Sequence, residues 1–318
     1  MARYGMTIPM NGIPLHQHED WLKEMFDLGY TDFWSSEAMG HDGFTPLALA
    51  AAWVPEARLG VAIVPAFTRG PALMSQCVAS LADAAPGRFV MGIGTSSDVI
   101  VERWNDIPFE KPLAQVRDMV RFLRKSLAGE KVNESFDRFH VRGFRSGVVL
   151  EQQPPILLAA LRKPMLRLAG REGDGAILNW LSAEDVKTVT PFVHEGGPGK
   201  EIVARLFVLP TEDRATALAI GRHAAAAYLN VGVYAAFHEW LGRGEQLADM
   251  WKLWKEGDRK AALEAIPEEV VDDLIISGSP DQCREHIQRF QDNGIDTPAL
   301  AILHTDDLRQ TVRDLAPR

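Results

Sequence analysis

Apolar positions along the chain follow two alternating patterns. Short apolar runs occupy residues 4–8, 31–36, 58–64, 89–93, 155–159, 175–178, 203–209 and 299–303. Between them lie longer stretches whose apolar positions recur every three to four residues, at 16–28, 45–53, 71–84, 111–128, 164–171, 183–194, 213–230, 280–292 and 306–315. The first pattern predicts buried strands and the second amphipathic helices. Leu22, Met25 and Phe26 share a face of the first helix, and Gly29 stops it. Pro71 opens the third, where a missing N–H costs nothing.

Strand–helix alternation predicts parallel strands joined by crossover helices. Eight strands favour a closed barrel over an open sheet, which stays the alternative on strand count alone. A bare (β/α)8 barrel takes about 250 residues. The 318 residues here leave room for insertions in a single domain spanning 1–318. Two stretches break the rhythm. Residues 131–149 carry Phe136, Phe139, Val141 and Phe144 among charges and glycines, and read as a hairpin-like excursion. Residues 231–276 hold Trp240, Trp251, Trp254 and Leu263 among many charges, and read as extra helices. Such insertions either shape a substrate pocket or supply a packing or dimer surface.

Composition narrows the functions open to such a fold. The net charge is −9, a poor match to nucleic acid or an anionic membrane surface, though it allows a local phosphate pocket. Cys77 and Cys283 lie far apart, and neither CxxC nor HExxH spacing suggests a metal site. The first residues read as a strand and lack the apolar core of a signal peptide, and no run is long enough to span a membrane. The cytoplasm is the expected location.

In a barrel, chemistry sits where strands end. Gly92-Ile-Gly94-Thr95-Ser96-Ser97 follows the fourth strand with small residues and hydroxyls, suited either to close approach of a planar ring or to a plain turn. Ala159-Ala160-Leu161-Arg162-Lys163-Pro164 leads into a helix whose free N–H groups and basic pair suit a phosphate. Otherwise these are solvated charges. Glu37 ends the second strand and could bind a cofactor or move a proton. His41 and His16 lie in loops and could protonate a substrate near neutral pH, or simply face solvent. Neither a GxSxG elbow nor an opening GxGxxG occurs.

The run Leu59-Gly-Val-Ala-Ile-Val-Pro-Ala-Phe-Thr-Arg69-Gly-Pro71, then Gly87-Arg-Phe-Val-Met-Gly-Ile-Gly-Thr95-Ser, resembles the luciferase-like superfamily. So does Ile156-Leu-Leu-Ala-Ala160 with Leu168-Ala-Gly-Arg-Glu-Gly-Asp174-Gly. The segment from Thr95 to Asn105, with Pro108-Phe109 and Lys111-Pro-Leu113, looks most like the branch that uses the deazaflavin coenzyme F420. The resemblance implies a TIM barrel of bacterial luciferase-like type holding a flavin or deazaflavin ring at its mouth. It implies a non-proline cis peptide in strand three, matched here at Val61–Ala62, with Ile63 beside it. Glu37 matches an acidic position near the ring. The next position is histidine in some F420-dependent dehydrogenases and Ala38 here, which counts against a sugar-phosphate mechanism. Ala160, Leu161 and the following helix start match the phosphate segment, without the glycines of some members. Ile177, Leu178 and Asn179 fall where the neighbouring strand end meets the cofactor tail.

On this basis the chain is expected to transfer a hydride between F420 and a small organic substrate, without a metal and as a homodimer. Glu37, with His41 second, would position or protonate the substrate. Two rivals stay open: an FMN-dependent monooxygenase of the same fold, and a noncatalytic flavin-binding relative.

Overall fold

The computed structural model describes residues 3–317. Eight parallel strands form its centre: β1 (Gly5–Thr7), β2 (Asp32–Ser35), β3 (Arg58–Val61), β4 (Phe89–Gly94), β5 (Ile156–Ala159), β6 (Gly175–Asn179), β7 (Glu201–Leu209) and β8 (Thr297–Ile302). Each pairs with the next, and β8 pairs with β1 through Gly5 and Met6 against Ala299 and Leu300, so the sheet closes. The expected (β/α)8 barrel is the observed fold.

Four helices, Thr45–Trp53, Pro71–Ala84, Ala183–His194 and Pro280–Asp292, have the ends the periodicity predicts. Two of them start at capping boxes, Ser182 with Asp185 and Ser279 with Gln282. There each side chain satisfies a backbone N–H that the helix itself cannot.

Three features differ from expectation. The third strand stops at Val61, where its register with Ser35 ends, and pairing resumes with Val64–Pro65 against Ile93 and Gly94. The non-proline cis peptide lies in this break, at Ala62–Ile63 and not at Val61–Ala62. Val61 is still held in the β2 ladder, so the irregularity begins only after the last paired residue. Residues 231–276 do not end as helix: Ile275–Ser277 is a strand that pairs with Phe207–Leu209 of β7, beyond the end of β6.

The excursion after Pro112–Leu127 is a hairpin, Val132–Ser135 against His140–Phe144. It packs Phe136, Phe139 and Phe144 around Phe122 of that helix. The longer insertion contributes helices Gly232–Trp240, Gly244–Glu256, Arg259–Glu264 and Glu268–Leu274. They pack on helix Arg214–Leu229 and share a core with Trp180 and Phe207, whose rings stack 4.1 Å apart.

Side-chain alternation sorts the strands into an outer face under the helices and a barrel interior. The interior has three levels. At mid-height Trp34, Val90, Leu157, Ile177, Val203 and Ala299 form their own buried cluster. The indole takes most of the room. A Cβ on Gly60 would lie 2.2 Å from Trp34, and one on Gly5 would lie 2.9 Å from it. Below it, Arg58 forks onto Glu201 with two 2.6 Å bonds and reaches Asp32 at 3.2 Å. Thr297 adds a 3.0 Å bond to Glu201. Burial opposes charge on Glu201, yet Arg58 outweighs it and holds that carboxyl below the usual range. On Asp32, burial wins over Thr31 and Arg58 and pushes the carboxyl up.

Removing the cation that serves both carboxylates should be costly, because Asp32 would keep only Thr31 and Arg3, 3.5 Å away, and Glu201 only Thr297. We expect Arg58→Met to lower unfolding free energy by about 3–5 kcal/mol in urea titration. A loss under about 1 kcal/mol, the scale of a solvent-exposed pair, would show that the network does not brace the barrel floor.

Candidate active site

Above Trp34 the interior opens at the C-terminal ends of the strands. The inward positions there divide the mouth into two unlike halves. On one side Ala62, Ile63, Gly94 and Ala159 are small or apolar and lie close together. A Cβ on Gly94 would sit 2.8 Å from Ala159 Cβ and 3.2 Å from Ile63 Cδ1. Ala62, Ile63 and Ala159 are half-buried, so this floor is reachable from the mouth. Lower down, a Cβ on Gly92 would lie 1.7 Å from the Val61 carbonyl oxygen, so only glycine lets the broken strand press inward.

The other half is polar. Asn179 on β6 and Arg205 on β7 are register partners and face the same way. Asn179 Nδ2 donates to Tyr234 Oη at 3.3 Å, which brings a residue of the long insertion to the mouth. Burial pushes the Tyr234 hydroxyl up to about 12. Thr7 of β1 completes this side. Thr7 Oγ1, Asn179 Oδ1 and Arg205 Nε are buried atoms with no hydrogen-bond partner among the described residues.

The sequence-derived candidates separate when placed on this frame. Gly94, Ala159, Ala62, Ile63, Ile177 and Asn179 face the barrel interior. Val61, Ala160 and Leu178 turn their side chains into the outer core, as strand alternation requires, and could meet a ligand only through their backbones. Leu161 packs against that same core. Thr95, Ser96 and Ser97 line the exit of β4, with Ser96 at a positive φ of 61° that turns the chain toward a wide helical turn at Val99–Arg103.

Lys163–Glu172 is a ten-residue helix beside Ala160 and Leu161, and no side chain caps its start. The basic pair behaves differently from the expectation of two free cations. Both are exposed, and the Lys163 ammonium also lies over Phe192 and Trp240, 5.2 and 5.6 Å from their ring centroids.

Glu37 is occupied. Arg69 meets both its carboxylate oxygens at 2.6 Å, and the Gly43 amide donates to Oε2 at 3.0 Å. Burial works against the Arg69 charge, but the Glu37 bonds outweigh it and raise its pKa. The guanidinium also lies 5.1 Å from the Phe44 ring centroid. Glu37 therefore ties the loop after β2 to the loop after Val64–Pro65. His41, on the loop after β2, and His16, in the short 3-10 helix Leu15–Gln17 where a loop was expected, are both exposed.

The buried histidine after β1 is His18, the first residue of helix His18–Asp27, which the sequence did not single out. Its Nε2 accepts from the Met10 amide at 2.8 Å, and Nδ1 lies 3.1 Å from the Pro14 carbonyl. Burial lowers its pKa, with the Pro14 contact opposing. A neutral ring donating through Nδ1 fits both bonds, so His18 anchors the loop after β1.

Arg205, Thr7 and Tyr234 were also missed. Arg205 had a usable signal, a lone charge within the apolar run 203–209. Tyr234 had none, since only tertiary packing brings the insertion to the mouth. No group of acidic, histidine or cysteine side chains among the described residues could hold a metal ion. No described helix is long and apolar enough to cross a membrane.

Comparison with known proteins agrees with this architecture. The chain is 26% identical over 331 residues, 95% of its length and 94% of the relative's, to a Mycobacterium tuberculosis protein assigned to the coenzyme F420-dependent oxidoreductases. It is 25% identical over 297 residues to the 5,10-methylenetetrahydromethanopterin reductase of Archaeoglobus fulgidus, covering 88% of this chain and 87% of that one. The coenzyme F420-dependent tetrahydromethanopterin reductase of Methanopyrus kandleri superposes with a TM-score of 0.81 at 18% identity, over 99% of this chain and 97% of that one. The luciferase-like monooxygenase family matches residues 2–297, and the chain belongs to it.

Proposed function

We propose that this protein is an oxidoreductase that uses coenzyme F420 to transfer a hydride to or from a small organic substrate. The observation that carries this is the floor of Ala62, Ile63, Gly94 and Ala159. It is flat and free of charge, and an uncapped helix start lies beside it. A tricyclic ring fits such a floor, and a phosphate fits exposed helix N–H groups. The F420-dependent activities named for the relatives support the same reading. The deazaflavin supplies the hydride chemistry when bound.

The chain's own residues bind, orient and exclude water. Ala62, Ile63, Gly94 and Ala159 would back the ring, with Ile177 beneath. The backbone N–H groups of Leu161, Arg162 and Lys163 would receive the phosphate, the Ala160 N–H being bonded to the Ile177 carbonyl, and Thr95–Ser97 would flank it. Glu37 is a positioning residue on this account, because Arg69 and the Gly43 amide already engage both its oxygens. His41, exposed on the loop after β2, is kept as the second candidate for positioning or protonating the substrate.

Fluorescence titration tests the cofactor directly. We expect saturable F420 binding and much weaker FMN binding; tight FMN binding without F420 binding would overturn the proposal. Ala159→Leu should weaken F420 binding by about tenfold or more by filling the floor, which is about 1.4 kcal/mol, with little change in thermal stability. Unchanged affinity would move the ring elsewhere.

The positioning role makes a separate prediction. Arg69→Met and Glu37→Gln should each speed hydrogen exchange of the Gly43 amide by about tenfold, because each releases the same loop. Normal protection of Gly43 in both variants would return Glu37 to the list of free acid–base groups.

A further inference from the structure

The polar half of the mouth opens into a cavity of about 330 Å³ lined from the ends of β1, β7 and β8. That is small for a ligand pocket, near the lower end of the usual range of about 300–1,000 Å³. Its wall is mixed, with Met10, Leu303 and Leu308 beside the polar Asn11 and Thr305. Its one charged lining residue, among those described, is Arg205. His304 stands at the rim, its imidazole 4.0 Å from the fully exposed Asp306.

Arg205 is unlike the other inward or deeply buried arginines. Arg58 is held by Glu201 and Asp32, and Arg243 by Asp185 and Asp273. Arg205 has no carboxylate partner. Its guanidinium lies 5.1 Å from the Phe207 ring centroid, and its buried Nε donates to nothing. Thr7 Oγ1, on the same cavity wall, is likewise buried and unpartnered. A buried donor left unmade is costly, and the half-buried Arg205 guanidinium has no counter-charge of its own. Two such groups on the wall of one small cavity describe a receptor for an anion that arrives with a ligand.

We propose that the substrate of this enzyme is a small apolar monocarboxylic acid, whose carboxylate is received by Arg205 and Thr7 and whose apolar body lies against Met10, Leu303 and Leu308. The inference rests on the reading of the mouth as an oxidoreductase site and names the substrate class for it. Charge balance selects a carboxylate over a phosphate monoester. One guanidinium matches a single negative charge, whereas a dianion would call for a second cation, and beside Arg205 the described lining offers only the exposed His304, which already lies 4.0 Å from Asp306. The planar fork of arginine suits a carboxylate edge-on, with the threonine hydroxyl as an added donor.

The test is calorimetric titration of the full chain, with and without saturating F420, using benzoate, hexanoate, benzamide and phenyl phosphate. We expect benzoate or hexanoate to bind about tenfold or more tighter than benzamide. Arg205→Met should weaken carboxylate binding by about tenfold or more while leaving benzamide and F420 affinity unchanged. Arg205→Lys should recover part of the loss, and Thr7→Val, which keeps side-chain volume, should weaken the carboxylate independently.

Four results would overturn the proposal: no saturable binding of either carboxylate, equal binding of benzoate and benzamide, tighter binding of phenyl phosphate than benzoate, or a loss of F420 affinity in Arg205→Met that matches the carboxylate loss. Carboxylate binding through Arg205 in a protein that binds no F420 would sink the cofactor assignment and leave the anion pocket standing.

Discussion

Trp34 sits at the centre of the barrel, and the strands beside it carry glycine where its ring would meet a side chain. Gly60 is the sharpest case, with no space between its backbone and the indole for a Cβ. Closing eight strands creates an interior that must be filled. Here one bulky indole and five smaller side chains fill the middle level. The levels below and above it then take different parts. Arg58, Asp32, Glu201 and Thr297 plug the lower end with paired charges, while nothing of comparable bulk fills the upper end. The mouth is open because the packing is finished beneath it.

That placement explains why the mouth has two characters. Beside the broken third strand, the backbone moves inward and only small residues fit, which leaves a floor suited to a flat ring. Across the barrel, β6, β7 and β1 are regular, and their inward positions carry Asn179, Arg205 and Thr7. The loops above are fastened by local devices. The Glu37–Arg69 pair joins two of them, His18 clamps the loop after β1, and Tyr234 brings the long insertion to Asn179. Glu37, which the sequence offers for proton transfer, thus serves first as a fastener.

Much of the fold was legible because strand and helix periods are local properties. Apolar runs near 58–64 and 203–209 and the periodic helix at 71–84 are set by residues a few places apart. The capping signals Ser182 with Asp185 and Ser279 with Gln282 are equally local. The split at Val61 was harder to locate, since residues 59–64 carry no polar side chain and the last paired residue is decided by β2 and β4. The strand Ile275–Ser277 was hidden for a similar reason. It exists because β6 ends early and leaves an edge of β7 unpaired, which no residue within 231–276 reports.

The sequence by itself determined the barrel, its order of elements, the resemblance to the luciferase-like family and several of the mouth positions, including Gly94, Ala159 and Asn179. Only the tertiary structure decided which of those side chains face inward, that Glu37 is already paired, and that Arg205 and Thr7 share a small cavity without partners. The reason is physical. Alternation along a strand fixes two faces but does not say which carries a ligand. Whether a charged group is free depends on what other strands and loops bring within about 3 Å of it. Those neighbours are tens to hundreds of residues away in the chain, and closure of the barrel alone brings them together.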